Sequence, residues 1–465
     1  MEVQMLQDFL STHKADFKDH TELRAQVNTS KRVAMLAGNM VGNTQVEIGG
    51  VSARVFRSGT YGFASGAEYS PESVKAVLSA ATQNAVFMDT NINKGQPPLP
   101  HVEGPDKVGL KTPIFEDIPQ SILIDYARAL DELIVKKCKN ISSRTVVADA
   151  LYIEKLLTVS DGTDSHLFQP RAMVYAWLTA ETSDGIPVEL FKSFSGVGRF
   201  DEFFKDPATL EEEIEKLYKA LMDKRGGVYA QAGLRKCVLH PDLAGMLSHE
   251  AVGHTVEADL VLGGSVAAHN LNKQVASTLV SMTDFAHTAL GKPCPLPVYV
   301  DDEGTPAEDA ILIENGILKG YMHSRESAQT FGVKPQGNAR AFEFSHSPII
   351  RMRNTAILPG KDKLEDMIAS VDDGYYLVKT GNGQADSTGE FMFSVDLGYE
   401  IKNGKIGKAI RETTISGMAF EMLKTVDMVS DDMSWEISGF CGKSQPMTTS
   451  MGGPALRCEM NIGGR

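Results

Sequence analysis

Between Thr21 and about Gly66 the chain runs in short stretches rich in β-branched, aromatic and alternating apolar positions: LRAQVN, RVAMLA, VSARVFR and TYGFAS. GN and GG dipeptides supply turns between some of them, so the pattern predicts a series of strands. Ser70 followed by Pro71 then opens a helix that places Val74, Val77, Leu78 and Ala81 on one face. The Pro-rich residues 94 to 106, KGQPPLPHVEGPD, read as a linker. Next, Ile122, Leu123, Tyr126, Leu130 and Ile134 recur at helical spacing in IPQSILIDYARALDELIVKK. Antiparallel strands are expected between Thr145 and Leu190, with DGTD as a turn. A further helix is signposted by Asp206 as cap, Pro207 at its opening, early acidic residues, an inward row of Leu210, Ile214, Leu217 and Leu221, and Gly226 as its stop.

A strand through Cys237 and Val238 leads into an apolar helix near residue 250. After it come PLPVYVDD, AILIENG, RMRNTAIL, GYYLVKT and EFMFSVDLGYEIKNGKIG, short strand-like runs separated by Gly- and Asn-containing turns. This is the grammar of a large antiparallel sheet or curled barrel. The expected fold class is α+β. It comprises a small N-terminal α+β domain (1–100), a middle α/β segment (101–232) and a large, mainly antiparallel β domain (233–465) that carries the apolar helix.

With 42% hydrophobic and 23% charged residues in 465, the chain has the composition of an ordinary globular protein. No apolar run approaches the roughly 20 residues of a membrane span. The first residues show no basic segment followed by an apolar one, so a cytoplasmic location is expected. The formal net charge of −14 argues against a nucleic-acid-binding surface. Five scattered cysteines do not look like a disulfide framework.

The apolar helix contains the chain's most specific chemistry, SHEAVGHTVEADL from Ser248. His249 and His254 flank Glu250, the inventory of a zinc hydrolase: two imidazole ligands and a general base for metal-activated water. The spacing is unusual. Histidines five residues apart lie roughly 140° apart on an ideal α-helix and cannot share a metal there. A π-bulge would return position i+5 to the ligand face, and Gly253 would lower the cost of such a distortion. A third ligand is required. From the residues alone Glu257 and Asp259 are candidates, with Cys441 and Cys458 as alternatives.

The HExxxH stretch resembles the signature of the TldD/PmbA family of zinc peptidases, in its motif-retaining, TldD-like branch. Further blocks are similar to that family in the same order. They are SDGTDSHLFQPRAMV from Ser160, DDEGTPAEDAILIENGILKGYM from Asp301, GNARAF from Gly337, RMRNTAILPG from Arg351, GNGQADSTGEFMFS from Gly381 and FCGKSQ from Phe440. The resemblance implies Zn2+ held by His249, His254 and Cys441, with Glu250 as catalytic base. It further implies unfolded or small peptides as substrates, and a dimer formed with a PmbA-like partner subunit or as a homodimer. Two other roles are carried alongside: a non-catalytic partner or scaffold subunit, and an indirect modulator of DNA gyrase.

Overall fold

The computed structural model describes residues 10–104, 108–109, 117–437 and 439–464. Residues 105 and 106, the end of the expected linker, lie outside the described residues. Strands β1 (His20–Leu36), β2 (Asn39–Arg57), β3 (Thr60–Gly66), β4 (Val108–Gly109), β5 (Ser143–Val159), β6 (Asp164–Glu181) and β7 (Pro187–Val197) form one sheet. All its pairings are antiparallel except that of β4 with β6. Because β1 pairs with β5, strands on both sides of residue 100 join the same sheet.

Three helices, Pro71–Ile92, Gln120–Lys137 and Glu211–Arg225, cover one face of this sheet. Ser70 caps the first through its side chain, which accepts the Ser73 N–H. The apolar row Leu123, Tyr126, Leu130 and Ile134 of the second packs on Val146, Ala148, Val174 and Ala176. The turn after Asp206 is a 3-10 turn, Pro207–Leu210, and the α-helix proper starts at Glu211.

The other face of the sheet is polar and buried, which explains where the strand reading differed. LRAQVN and RVAMLA are not two strands but one, β1, running through the polar Asn28–Lys31. Gln26 and Asn28 donate to the Phe342 carbonyl, whereas Lys31 lies on the helix-covered face and donates to the carbonyl of Ile118. Arg54 pairs with Glu22 and Glu303, and Lys155 with Asp302 at 2.8 Å. Polar side chains that would mark a turn at a surface here hold the sheet to the C-terminal region.

In that region a ring of five strands closes on itself. β8 (Gly233–Leu239) pairs with Asp373–Ala385 in parallel and with Leu456–Ile462 antiparallel; antiparallel pairings through Thr413–Met418 and Glu390–Lys402 complete the circuit. Beside it lies a six-stranded sheet that includes Met282–Phe285, Asn354–Ile357 and Ser450–Gly453. PLPVYVDD contributes no strand, only a bridge between Val300 and Pro306. The cause is local: Asp301 accepts the N–H groups of Glu303, Thr305 and Ala339, and Asp302 accepts that of Ala341, in competition with a ladder.

The segment carrying the histidines is packed between barrel and sheet. Leu243, Leu247, Ala251 and Val252 share a core with Leu377, Phe391, Phe393, Ile415 and Met460, and with Met282 and Ile357. Among the described residues no helix is long and apolar enough to cross a membrane.

Candidate metal centre

An α-helix, Pro241–Leu247, runs without a break into a π turn, Ser248–Gly253, and then a 3-10 turn, His254–Val256. The His254 N–H donates to the His249 carbonyl, an i→i+5 bond. Widening the turn by one residue brings the second imidazole round beside the first, with ring centroids 5.2 Å apart. Gly253 has ordinary right-handed helical angles, so backbone freedom is not its use. A Cβ there would stand 2.2 Å from the Met352 sulfur, and the glycine is needed for close packing instead.

His249, His254 and Cys441 each offer a ligand atom, and these atoms lie within 4.8 Å of one another. The Cys441 Sγ is 3.3 Å from His254 Nε2. Around a tetrahedral zinc with Zn–N near 2.0–2.1 Å and Zn–S near 2.3 Å, an N···S edge measures roughly 3.5 Å. His249 is fully buried and neither ring nitrogen has a hydrogen-bond partner. An imidazole stranded in that way is costly unless something else occupies its lone pair. Two imidazole nitrogens and a sulfur therefore fit a zinc ion, by donor type and by spacing.

Glu250 stands on the same side, one carboxylate oxygen 3.6 Å from His254 Nε2 and the other 4.0 Å from His249 Nε2. Burial pushes its carboxyl above the usual range, with His254 opposing. Burial also holds His249 well below the ordinary imidazole value, aided by His254 and Arg351, which leaves it neutral. On His254 burial acts downward, but its hydrogen bonds with Cys441 and Glu257 carry it up to about 10. A metal bound here must displace that proton.

Glu257 and Asp259 are not in the cluster. The fully buried Glu257 carboxylate takes the far nitrogen of His254, Nδ1, at 2.9 Å, and meets Lys443 Nζ at 3.2 Å. Asp259 pairs with the same lysine at 2.7 Å. Glu257 thus bonds the far nitrogen of a candidate ligand and is not among the converging donor atoms, the arrangement by which carboxylates fix metal-bound histidines. Glu257→Gln is expected to weaken metal binding about 10- to 100-fold with the fold kept, as read by competition with a chelator. Unchanged affinity would show that Glu257 does not tune the site.

Cys458 sits elsewhere, fully buried opposite Cys237 in the barrel wall. Tyr321 and Lys443, both chemically able to stabilise an oxyanion, are already engaged, the first with the Ala267 carbonyl and the second with Asp259. A Cβ on Gly442 would meet nothing within 4 Å, and one on Gly439 would stand 3.1 Å from the Met451 methyl. The hairpin Phe440–Lys443 and Gln445–Thr448 turns at Ser444, with φ +58°.

Residues 233–464 match the model of the PmbA/TldA metallopeptidase C-terminal domain. The "Metalloprotease TldD homolog" of Haemophilus influenzae is 34% identical over 349 residues, 73% of this chain and 70% of that protein. The chain belongs to the PmbA/TldD family of metallopeptidases. A second PmbA/TldD relative, the "Zinc metalloprotease TldD homolog" of Saccharolobus solfataricus, is 29% identical over 398 residues, 85% of this chain and 83% of its own length. The crystal structure of TldE from Thermococcus kodakarensis superposes with a TM-score of 0.76 over 99% of both chains at 18% identity, which establishes a shared fold.

Proposed function

We propose that this PmbA/TldD chain is a zinc peptidase that hydrolyses peptide bonds of unfolded or small peptides, with His249, His254 and Cys441 as ligands and Glu250 as general base. The observation that carries this reading is the convergence of three donor atoms within 4.8 Å with the Glu250 carboxylate beside them. Zinc bound there supplies a Lewis acid that acidifies a water and polarises a carbonyl. Glu250 takes the proton of the attacking water and returns it to the leaving amine, a role suited to a carboxyl raised towards neutrality. The name of the Saccharolobus relative supports zinc.

An extended substrate suits the fold. The strand Asp373–Ala385 pairs with β8 only over residues 374–377, and the rest of that edge carries no ladder partner among the described residues. Its turn is tied to the segment following the motif by the Val266 N–H on the Ser387 carbonyl, 2.7 Å. An open edge near the site takes a peptide by main-chain hydrogen bonds, which tolerates many sequences but excludes chains already folded. The assembly proposed is a dimer with a PmbA-like subunit or a second copy, for which the TldE neighbour is support. A thiolate ligand belongs in a reducing compartment such as the cytoplasm.

The test is zinc content after gentle purification, combined with digestion of a denatured protein and its folded form, with and without chelator. Stoichiometric zinc and chelator-sensitive cleavage of the denatured form alone are expected. Cleavage that ignores the chelator would overturn the metal reading. Equal cleavage of both forms would overturn the substrate reading.

A further inference from the structure

Arg351 and Lys443 both make bonds at the hairpin that carries Cys441, and the surroundings of Arg351 are accounted for by neither the fold nor the proposed chemistry. Arg351 is fully buried, yet it forms no ion pair among the described residues. Its guanidinium is spent on main-chain carbonyls: Nη2 donates to Cys441 at 2.6 Å, and Nη1 to Gln445 at 2.6 Å and to Lys443 at 3.4 Å. All three acceptors lie on the hairpin that carries the candidate thiolate. Two belong to its first strand and one to its second, so one planar fork spans the turn at Ser444. Arg351 is itself fixed through its own N–H, which donates to the Asn338 carbonyl at 2.9 Å.

The hairpin needs such a hold. It is a two-stranded sheet of its own, joined to neither the barrel nor the six-stranded sheet, and an isolated hairpin is marginally stable at best. Lys443 also ties it, to Asp259 and to the Ile350 carbonyl. But the bond at the Cys441 carbonyl is made by Arg351 alone among the described side chains, and it is the one that fixes the residue whose sulfur faces His254. Burying an arginine without a carboxylate is expensive. Carbonyl dipoles offset part of that cost. Arg353, two residues on, differs in having an ion pair, its Nε meeting the buried carboxylate of Asp284 at 2.8 Å while both Nη atoms donate to main-chain carbonyls.

We infer that Arg351 is the positioning residue for the sulfur ligand: it sets the place of Cys441 through the backbone. This inference rests on the zinc reading above. Lysine cannot replace it, because a single ammonium cannot reach carbonyls on both strands in one plane. The test uses the full chain loaded with cobalt in place of zinc, and compares wild type with Arg351→Lys, after circular dichroism has established that both are folded. The variant is expected to lose affinity about 10- to 100-fold in chelator competition. Its thiolate-to-cobalt charge-transfer absorption should weaken relative to the ligand-field bands.

In a Cys441→Ala background the same substitution should cost little further affinity, since its effect runs through the sulfur. A folded Arg351→Lys protein with wild-type affinity and full thiolate absorption would overturn the inference alone. A wild type without any thiolate absorption would overturn the ligand assignment and this inference with it. Should the variant fail to fold, hydrogen exchange on the metal-free wild type decides. Amides of residues 440–448 protected like those of the adjoining sheet support a hairpin held before metal binding. Exchange at the rate of a free loop contradicts it.

Discussion

Glu250→Gln is expected to keep the fold and a full complement of zinc while losing peptidase activity by a factor on the order of 10²–10⁴. The carboxylate stands beside both histidines, but at 3.6 and 4.0 Å it is not held by either in a tight hydrogen bond. Replacing one oxygen by an amide nitrogen therefore costs the local packing little. An amide can hydrogen-bond a water but cannot accept its proton, so the loss falls on the chemical step. The expected signature is a fall in kcat with metal content unchanged. A variant that cleaves at close to the wild-type rate would remove Glu250 as the base and leave the metal reading standing.

The second large effect is expected at Cys441. Cys441→Ala removes one of three protein ligands and should abolish tight zinc binding, so that dialysis strips the metal that wild type retains. Cys458→Ala is the matched control. Both side chains are buried and similar in size, so their cavity costs are comparable. But Cys458 faces Cys237 on the neighbouring barrel strand and is not among the donor atoms that converge with the imidazoles, so its loss should leave zinc nearly intact. Normal zinc in Cys441→Ala, with loss on changing Glu257, would mean that the carboxylate is a ligand and the thiol a bystander.

The motif was readable because its residues are contiguous and the spacing itself demanded a distortion. Histidines five positions apart cannot face one metal on an α-helix, and the π turn Ser248–Gly253 brings the two rings together. Cys441 is 187 residues from His254, and no periodicity links them. Only the family resemblance pointed to it. Glu257 stood out as a carboxylate close to the motif, and three residues from a histidine such a group can serve either a metal or the far ring nitrogen, where the structure has it. Arg351 left no signal of its own, because its partners are main-chain carbonyls, which every residue possesses.

The same limit governs the fold. Apolar periodicity located the three helices on the N-terminal sheet, whose burial depends on their own spacing. It failed at Asn28–Lys31, where polar residues continue a strand because both faces of the sheet are covered, Asn28 bonding the Phe342 carbonyl on one side and Lys31 the Ile118 carbonyl on the other. It failed again at PLPVYVDD, where strand-forming residues lead into aspartates that bind backbone N–H groups. Blocks such as DDEG, GNARAF and RMRN carry much of the family resemblance, and most of their polar side chains serve this buried framework. Asp302 holds Lys155, and Asp284 gathers Asn338 and Arg353.

The most direct measurement is X-ray absorption at the zinc edge on the purified full chain. The expected first shell holds two imidazole nitrogens near 2.0–2.1 Å and one sulfur near 2.3 Å, with a further light atom from solvent. A shell of nitrogen and oxygen alone would contradict the ligand set, and protein isolated without stoichiometric metal would contradict the zinc centre itself.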